Sequence, residues 1–258
     1  MTPAPGTSFL ASARSLLEQL EHGQEDALAR AAALCAEAIG SDGLAHAFGT
    51  GHSRIAVEEL FPRYGSFPGF HPLVELSMTF HTQVAGANGQ RQAMFIERVE
   101  GLAEVILANF RLAPPDVMIV FSAGGTTAVP IEMAIGARER GLRVICVTSV
   151  EHSRAAAAQH SSGTRLLDHA DVVLDLCTPV GDALVDVDGA RVGPGSTVAA
   201  AALANAVKVR TAQLLAERGA LPPVLTAPTL VGADESRRLF DAAYAEHARR
   251  YAEVLRTE

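Results

Sequence analysis

The stretch Val117-Met118-Ile119-Val120-Phe121-Ser122-Ala123-Gly124-Gly125-Thr126-Thr127 decides the fold. Its first five residues are all apolar and read as a strand buried on both faces. The next six are small, hydroxylated or glycine, and read as a tight loop. Residues 129–140 then read as a helix ended by Gly141. Thr127 suits its N-cap, and Pro130 falls in the first turn, where no donor is lost. Residues 143–148 read as the next buried strand. Buried strands alternating with helices build a parallel sheet covered on both faces.

Upstream, residues 44–48 form a short apolar strand that runs into Gly49-Thr50-Gly51-His52-Ser53, followed by a helix over 54–63. Residues 70–75 have strand character weakened by Pro72. Residues 84–90 are loop-like. Phe95, Val99, Leu102 and Ile106 fall at helical spacing and predict one helix over 92–110. Downstream, 151–159 reads as a short helix, 171–176 as a strand, and 185–192 as a hairpin around Asp188-Gly189. Long helices are expected at 9–39, 196–217 and 236–257. The fold class expected is α/β: a three-layer αβα arrangement with a five-stranded parallel sheet of flavodoxin-like order. Helical extensions at 8–39 and 235–257 flank a core of about 40–218, in one domain spanning 1–258.

Of the 258 residues, 48% are hydrophobic and 19% charged, enough for one sizeable core. The net charge of -8 lacks the basic footprint of a nucleic-acid binder, so no nucleic-acid partner is expected. It leaves room for an anionic ligand, because a few oriented backbone N–H groups bind phosphate locally. Residues 1–8 lack a charged start followed by an apolar run, and the apolar run 198–207 is too short to span a membrane. A cytoplasmic protein with no membrane partner is expected. Cys35, Cys146 and Cys177 show neither paired nor metal-type spacing.

Three strand ends share one pattern: Phe48 before Gly49-Thr50-Gly51-His52-Ser53, Phe121 before Ser122–Thr127, and Val147 before Thr148-Ser149. Ligands of open parallel sheets bind beyond the carboxyl ends of the strands. Hydroxyls there donate hydrogen bonds, glycines admit a close backbone approach, and helix N-termini present free N–H groups. Ordinary capping of three βα units would use the same residue types. Competing nucleotide motifs fail: no G-x-x-x-x-G-K-[ST] occurs, and Arg54 stands where a dinucleotide fingerprint needs its third glycine. The phosphate-binding candidates are therefore Thr50, Ser53, Ser122, Gly124, Gly125, Thr126, Thr127, Thr148 and Ser149.

These residues resemble the sugar isomerase (SIS) domain superfamily, whose strand–loop–helix carries S-x-S-G-x-T. Ser122, Gly125 and Thr127 fit that pattern, and Gly124 stands in place of its middle serine. The resemblance covers about residues 9–215. It is strongest to a stand-alone bacterial branch carrying G-x-G-H-S, V-P-I-E-M-A, H-S-S-G, P-G-D-A-L and G-P-x-S-T-V. Here these are 49–53, 129–134, 160–163, 179–184 (with Val180 inserted) and 193–198. That branch includes N-acetylglucosamine 6-phosphate dehydratases. The resemblance implies a phosphosugar ligand, a homodimer, and proton abstraction at C2 beside an aldehyde. Expulsion of the C3 substituent would then make a lyase, and reprotonation at C1 an isomerase.

Abstraction needs a carboxylate. Glu59-Leu60-Phe61-Pro62 and Val99-Glu100-Gly101 are similar to segments of N-acetylmuramate 6-phosphate etherases, which makes Glu59 and Glu100 the candidate bases. Glu104, one turn beyond Glu100, is a weaker candidate. Among His52, His71, His81, His152 and His160, His52 lies nearest the sugar loop and is the candidate for ring opening or leaving-group protonation. No histidine pair has metal-type spacing, so neither metal nor cofactor is expected. The lead expectation is dehydration of N-acetylglucosamine 6-phosphate, since an N-acetyl group on C2 blocks simple isomerisation to a 2-ketose. An aldose–ketose isomerase and a non-catalytic phosphosugar sensor are the alternatives. A sensor needs no base.

Overall fold

A computed structural model describes residues 5–60, 63–79 and 89–255. In chain order the elements are α1 (Pro5–Gly23), α2 (Glu25–Gly40), β1 (Ala45–Gly49), α3 (Arg54–Leu60), β2 (Phe70–Leu73), α4 (Leu76–Thr79), α5 (Gly89–Ile96) and α6 (Leu102–Leu107). There follow β3 (Val117–Phe121), α7 (Ala128–Glu139), β4 (Arg143–Thr148), α8 (Val150–Ala155), β5 (Val172–Asp175), β6 (Ala183–Val187), β7 (Ala190–Pro194), α9 (Ser196–Glu217), α10 (Pro228–Val231) and α11 (Ala233–Val254).

β1 to β5 form one parallel sheet in the order β2-β1-β3-β4-β5, the flavodoxin-like order expected. Side chains of β3 alternate between two cores, as the two-residue period of a strand requires. Val117, Ile119 and Phe121 face α2, α3 and α9, while Met118 and Val120 face α6 and α7. Cys146 is buried in the second core as a small apolar side chain. Pro72 is tolerated because β2 is an edge strand. β6 and β7 make the expected hairpin, its turn built on Asp188 and Gly189, both at positive φ.

The register positions the site. Gly49 pairs with Phe121, and Phe121 with Val147, so β1, β3 and β4 release their loops at one level.

Two helices expected to be continuous are broken. The stretch over 9–39 divides at Gln24, which leaves helical geometry (φ -116, ψ 5). Its side-chain oxygen accepts from Asp175 N at 3.0 Å, tying the helix pair to the end of β5. The stretch over 92–110 divides at residues 97–101, where Gly101 takes φ 87 and begins α6. Helical spacing of Phe95 and Val99 was misleading here, because both side chains are exposed. α9 packs against α2 and α3.

Candidate functional site

Beyond the sheet's carboxyl edge lies a cleft of about 670 Å³, within the usual range for small-ligand sites. Thr50, His52 and Ser53 line it from the turn after β1. Ser122, Gly124, Gly125, Thr126 and Thr127 line it from the loop after β3. Eight of the twelve candidate residues therefore meet at one cavity.

The β3 loop is held open by its own hydrogen bonds. Carbonyls of Ala123, Gly125 and Thr126 turn outward and accept from Ser149 N, Leu166 N and Gln159 N. Ser122 Oγ accepts from Gly125 N at 3.2 Å. Gly125 sits at φ +60, and a Cβ on it would lie 2.7 Å from Thr148 Oγ1 and 3.2 Å from Ser153 Oγ, so no side chain fits. Among the described residues the N–H groups of Gly124, Thr126 and Thr127 have no protein acceptor. Thr127 is the N-cap of α7 but its side chain makes no cap bond. Donors, hydroxyls and a helix N-terminus thus face the cleft with carbonyls turned away, an arrangement that suits an anion.

Thr148 and Ser149 do not reach it. Both are fully buried behind the loop. Thr148 Oγ1 donates to Ala123 O at 3.3 Å, and Ser149 Oγ donates to Thr178 O at 2.6 Å while accepting from His152 N. They brace the loop rather than line the cleft.

Neither carboxylate expected to act as base opens onto the cleft. Glu59 packs against α9, accepting from Asn205 Nδ2 at 3.1 Å and pairing with Arg63 at 2.8 Å. Burial works to raise its carboxyl, but the Asn205 amide and the Arg63 and Lys208 charges outweigh it and hold the group below the ordinary range. Glu100 is exposed, and its hydrogen bond from Ser161 holds it low as well. A carboxylate whose pKa is held low is a weak base at neutral pH. Glu104 pairs with Arg140, the C-cap of α7, at 2.6 Å. His71 is buried against His46, His160 hydrogen-bonds Ser162, and His81 lies outside the described residues.

The carboxylate that does line the cleft is Glu97. Its Oε2 accepts from Thr50 Oγ1 at 2.8 Å, and its backbone carbonyl accepts from Val129 N at 3.0 Å. It is thereby fastened to the turn after β1 and to the first turn of α7. Sequence reading passed over it because 92–110 looked like one helix whose polar face carried Glu100 and Glu104. The glycine at 101 was the available sign of a break. Asp182 lines the cleft too, but its carboxylate caps α9, accepting from Gly195 N, Ser196 N and Ser196 Oγ.

One cluster could hold a cation. Glu100, Glu132 and His160 each bring a ligand atom to within 4.8 Å of the others. Glu132 already accepts from Gly101 N at 2.8 and 2.9 Å, and Glu100 from Ser161 N at 2.6 Å. Those bonds explain the grouping as a clasp between the 97–101 turn, α7 and the 159–163 loop. Its members come from three segments, so no spacing in the sequence marks it.

A parallel αβα sheet with hydroxyl- and glycine-rich loops at its carboxyl edge defines an SIS-type domain. The SIS domain family matches residues 8–149, and this chain belongs to it. A UPF0309 protein of Streptomyces coelicolor is 36% identical over 90% of this chain and 91% of its own length. A UPF0309 protein of Halalkalibacterium halodurans is 34% identical over 85% and 89%. Among solved structures, a phosphoheptose isomerase from Francisella tularensis superposes with a TM-score of 0.53 at 15% identity, over 80% of this chain and 96% of that one. The latter likeness bears on the fold. No helix among the described residues is long and apolar enough to cross a membrane.

Proposed function

We propose that the cleft binds the open-chain form of a sugar phosphate and that Glu97 removes the proton at C2. The observation that carries this is the placement of Glu97 in the cleft lining, its carboxylate bonded to Thr50 and its backbone to Val129 at the start of α7, the helix that follows the Ser122–Thr127 loop. The loop takes the phosphate. The turn takes the sugar near its carbonyl end, where His52 lies beside Thr50 and Ser53.

N-Acetylglucosamine 6-phosphate is the substrate we favour, with loss of water from C3. The C2–H bond breaks and its proton passes to Glu97. The C2=C3 double bond forms as the C3–O bond breaks, and the departing hydroxide takes a proton, for which His52 is the candidate donor. The N-acetyl group disfavours the competing proton return to C1. Aldose–ketose isomerisation uses the same base and first step, and would follow if C1 rather than C3 completes the reaction. A homodimer is part of the proposal, on the strength of the family resemblance.

The test is incubation with N-acetylglucosamine 6-phosphate in D2O, followed by proton NMR and mass spectrometry. Exchange of the C2 proton for deuterium in recovered substrate, together with a product 18 Da lighter that has lost its C2 proton, supports dehydration, and a ketose product supports isomerisation. Glu97→Gln should abolish exchange while retaining ligand affinity. Binding of sugar phosphates by the wild-type chain with no C2 exchange in any of them would overturn the enzyme reading and leave a sensor.

A further inference from the structure

We propose that His152 is a phosphate-binding residue of the cleft, its Nε2–H standing beside Gly124 where the loop lacks a side-chain hydroxyl. This rests on the reading of the cleft as a phosphate site.

Gly181 N donates to His152 Nδ1 at 3.1 Å. A backbone amide can only donate, so Nδ1 is the acceptor and the ring proton of the neutral imidazole sits on Nε2. That nitrogen points at the loop: a Cβ built on Gly124 would lie 3.5 Å from Nε2 and 3.6 Å from Cδ2. His152 lines the cleft, and among the described residues its Nε2 has no protein acceptor. The residue is also firmly placed, since His152 N donates to the buried Ser149 hydroxyl at 3.2 Å.

The loop needs such a donor. Residues 122–127 contain no lysine or arginine, and the glycine at 124 brings no hydroxyl to the loop. Arg98 is the guanidinium of the cleft lining, and it is engaged with Gln159 Oε1 and Met94 O. A phosphate offers three terminal oxygens, more than the free amides of Gly124, Thr126 and Thr127 saturate when each oxygen accepts more than one bond. An imidazole N–H oriented by a backbone amide supplies a further donor at low cost in side-chain ordering.

Geometry at position 124 makes the substitution reciprocal. Gly124 is not at positive φ, and the contacts a Cβ would make there are ordinary van der Waals distances. A serine fits and would return a hydroxyl to the place where His152 now donates.

Inorganic phosphate is the probe, read by calorimetry and by imidazole 15N NMR on the full chain. Phosphate titrated into the wild-type protein should move the His152 Nε2 resonance more than Nδ1. His152→Ala should weaken phosphate at least tenfold, and Gly124→Ser in that background should restore it to within about threefold of wild type, tenfold being about 1.4 kcal/mol. A His152 resonance unmoved at saturating phosphate overturns the inference. So does a folded His152→Ala variant with wild-type affinity, or a wild-type protein that does not bind phosphate. Binding of phosphate through His152 without binding of any sugar phosphate would instead sink the proposed function and leave the anion site standing.

Discussion

Thr50 Oγ1 donates a 2.8 Å hydrogen bond to Glu97 Oε2, joining the turn after β1 to the end of α5. Hydrogen bonds to a charged group contribute roughly 1.5–3 kcal/mol. Thr50→Val keeps the shape and deletes the donor. Turnover should fall by about 10- to 100-fold with ligand affinity changed far less. Equal losses in kcat/KM and in affinity would place Thr50 on the ligand instead of on the base.

The three carboxylates make a second test. Glu59→Gln and Glu100→Gln should each leave C2 exchange within about threefold of wild type, because one side chain packs against α9 and the other hydrogen-bonds Ser161 N. Glu97→Gln should lower exchange by at least 100-fold, as loss of a general base does. Exchange surviving in Glu97→Gln but lost in either of the others would return the base to the residue that sequence similarity suggested.

Gly125 cannot carry a side chain. Gly125→Ala meets both the positive φ and Thr148 Oγ1 at 2.7 Å, and should lower stability by about 1–3 kcal/mol. Phosphate affinity should fall together with it, since Gly125 N organises the loop through Ser122 Oγ. Urea unfolding and phosphate calorimetry on the same variant check the two effects, and an unperturbed pair of values would contradict the loop geometry.

Acid should destabilise the fold through a buried histidine pair remote from the loops. His46 and His71 are register partners in β1 and β2, their Nδ1 atoms 2.9 Å apart, and His46 Nε2 lies 3.2 Å from Asp116 Oδ2. Burial, with His46 and His247 nearby, pushes the His71 imidazole down to about 3. An unfolded histidine titrates near 6.5. Below about pH 6.5 the unfolded chain therefore binds a proton that the native state refuses. The stability is fully present above that pH and is lost as pH falls toward 3, by up to about 1.4 kcal/mol per unit for one group. Urea midpoints at pH 7.5 and 5.0 measure the slope, and His71→Asn should flatten it. An unchanged slope in that variant would assign the effect elsewhere.

How much of this was legible in the sequence follows from which interactions are local. Residues 117–121 and 143–148 announced buried strands because nothing apolar and continuous of that length suits a surface. Ser122–Thr127 announced a loop by its glycines and hydroxyls. Thr148 and Ser149 share that residue chemistry, yet they serve as braces, and only burial distinguishes the roles. Glu97 was hidden for another reason. Its partners, Thr50 and Val129, lie 47 and 32 positions away, and no periodicity within 92–110 reports them. The etherase-like segments around Glu59 and Glu100 carried the eye to carboxylates that the fold directs elsewhere. Gln24 shows the same limit: Gly23 marks the break locally, but the bond from Asp175 N to the Gln24 side chain, 151 positions away, leaves no sign in the sequence.

The bond from Val129 N to the Glu97 carbonyl has a mechanical meaning. The loop ahead of α7 presents the free amides of Gly124, Thr126 and Thr127, and Val129 N, in the first turn of α7, grips the backbone that carries the Glu97 carboxylate. A ligand that settles on that loop would load a strut whose other end is the carboxylate proposed as proton acceptor. Grip on the unreactive end of a substrate can in this way be converted into alignment at the reactive end, as rate acceleration by remote binding requires. A sugar lacking its phosphate would then suffer twice, in how often it is held and in how well the acceptor is aimed while it is.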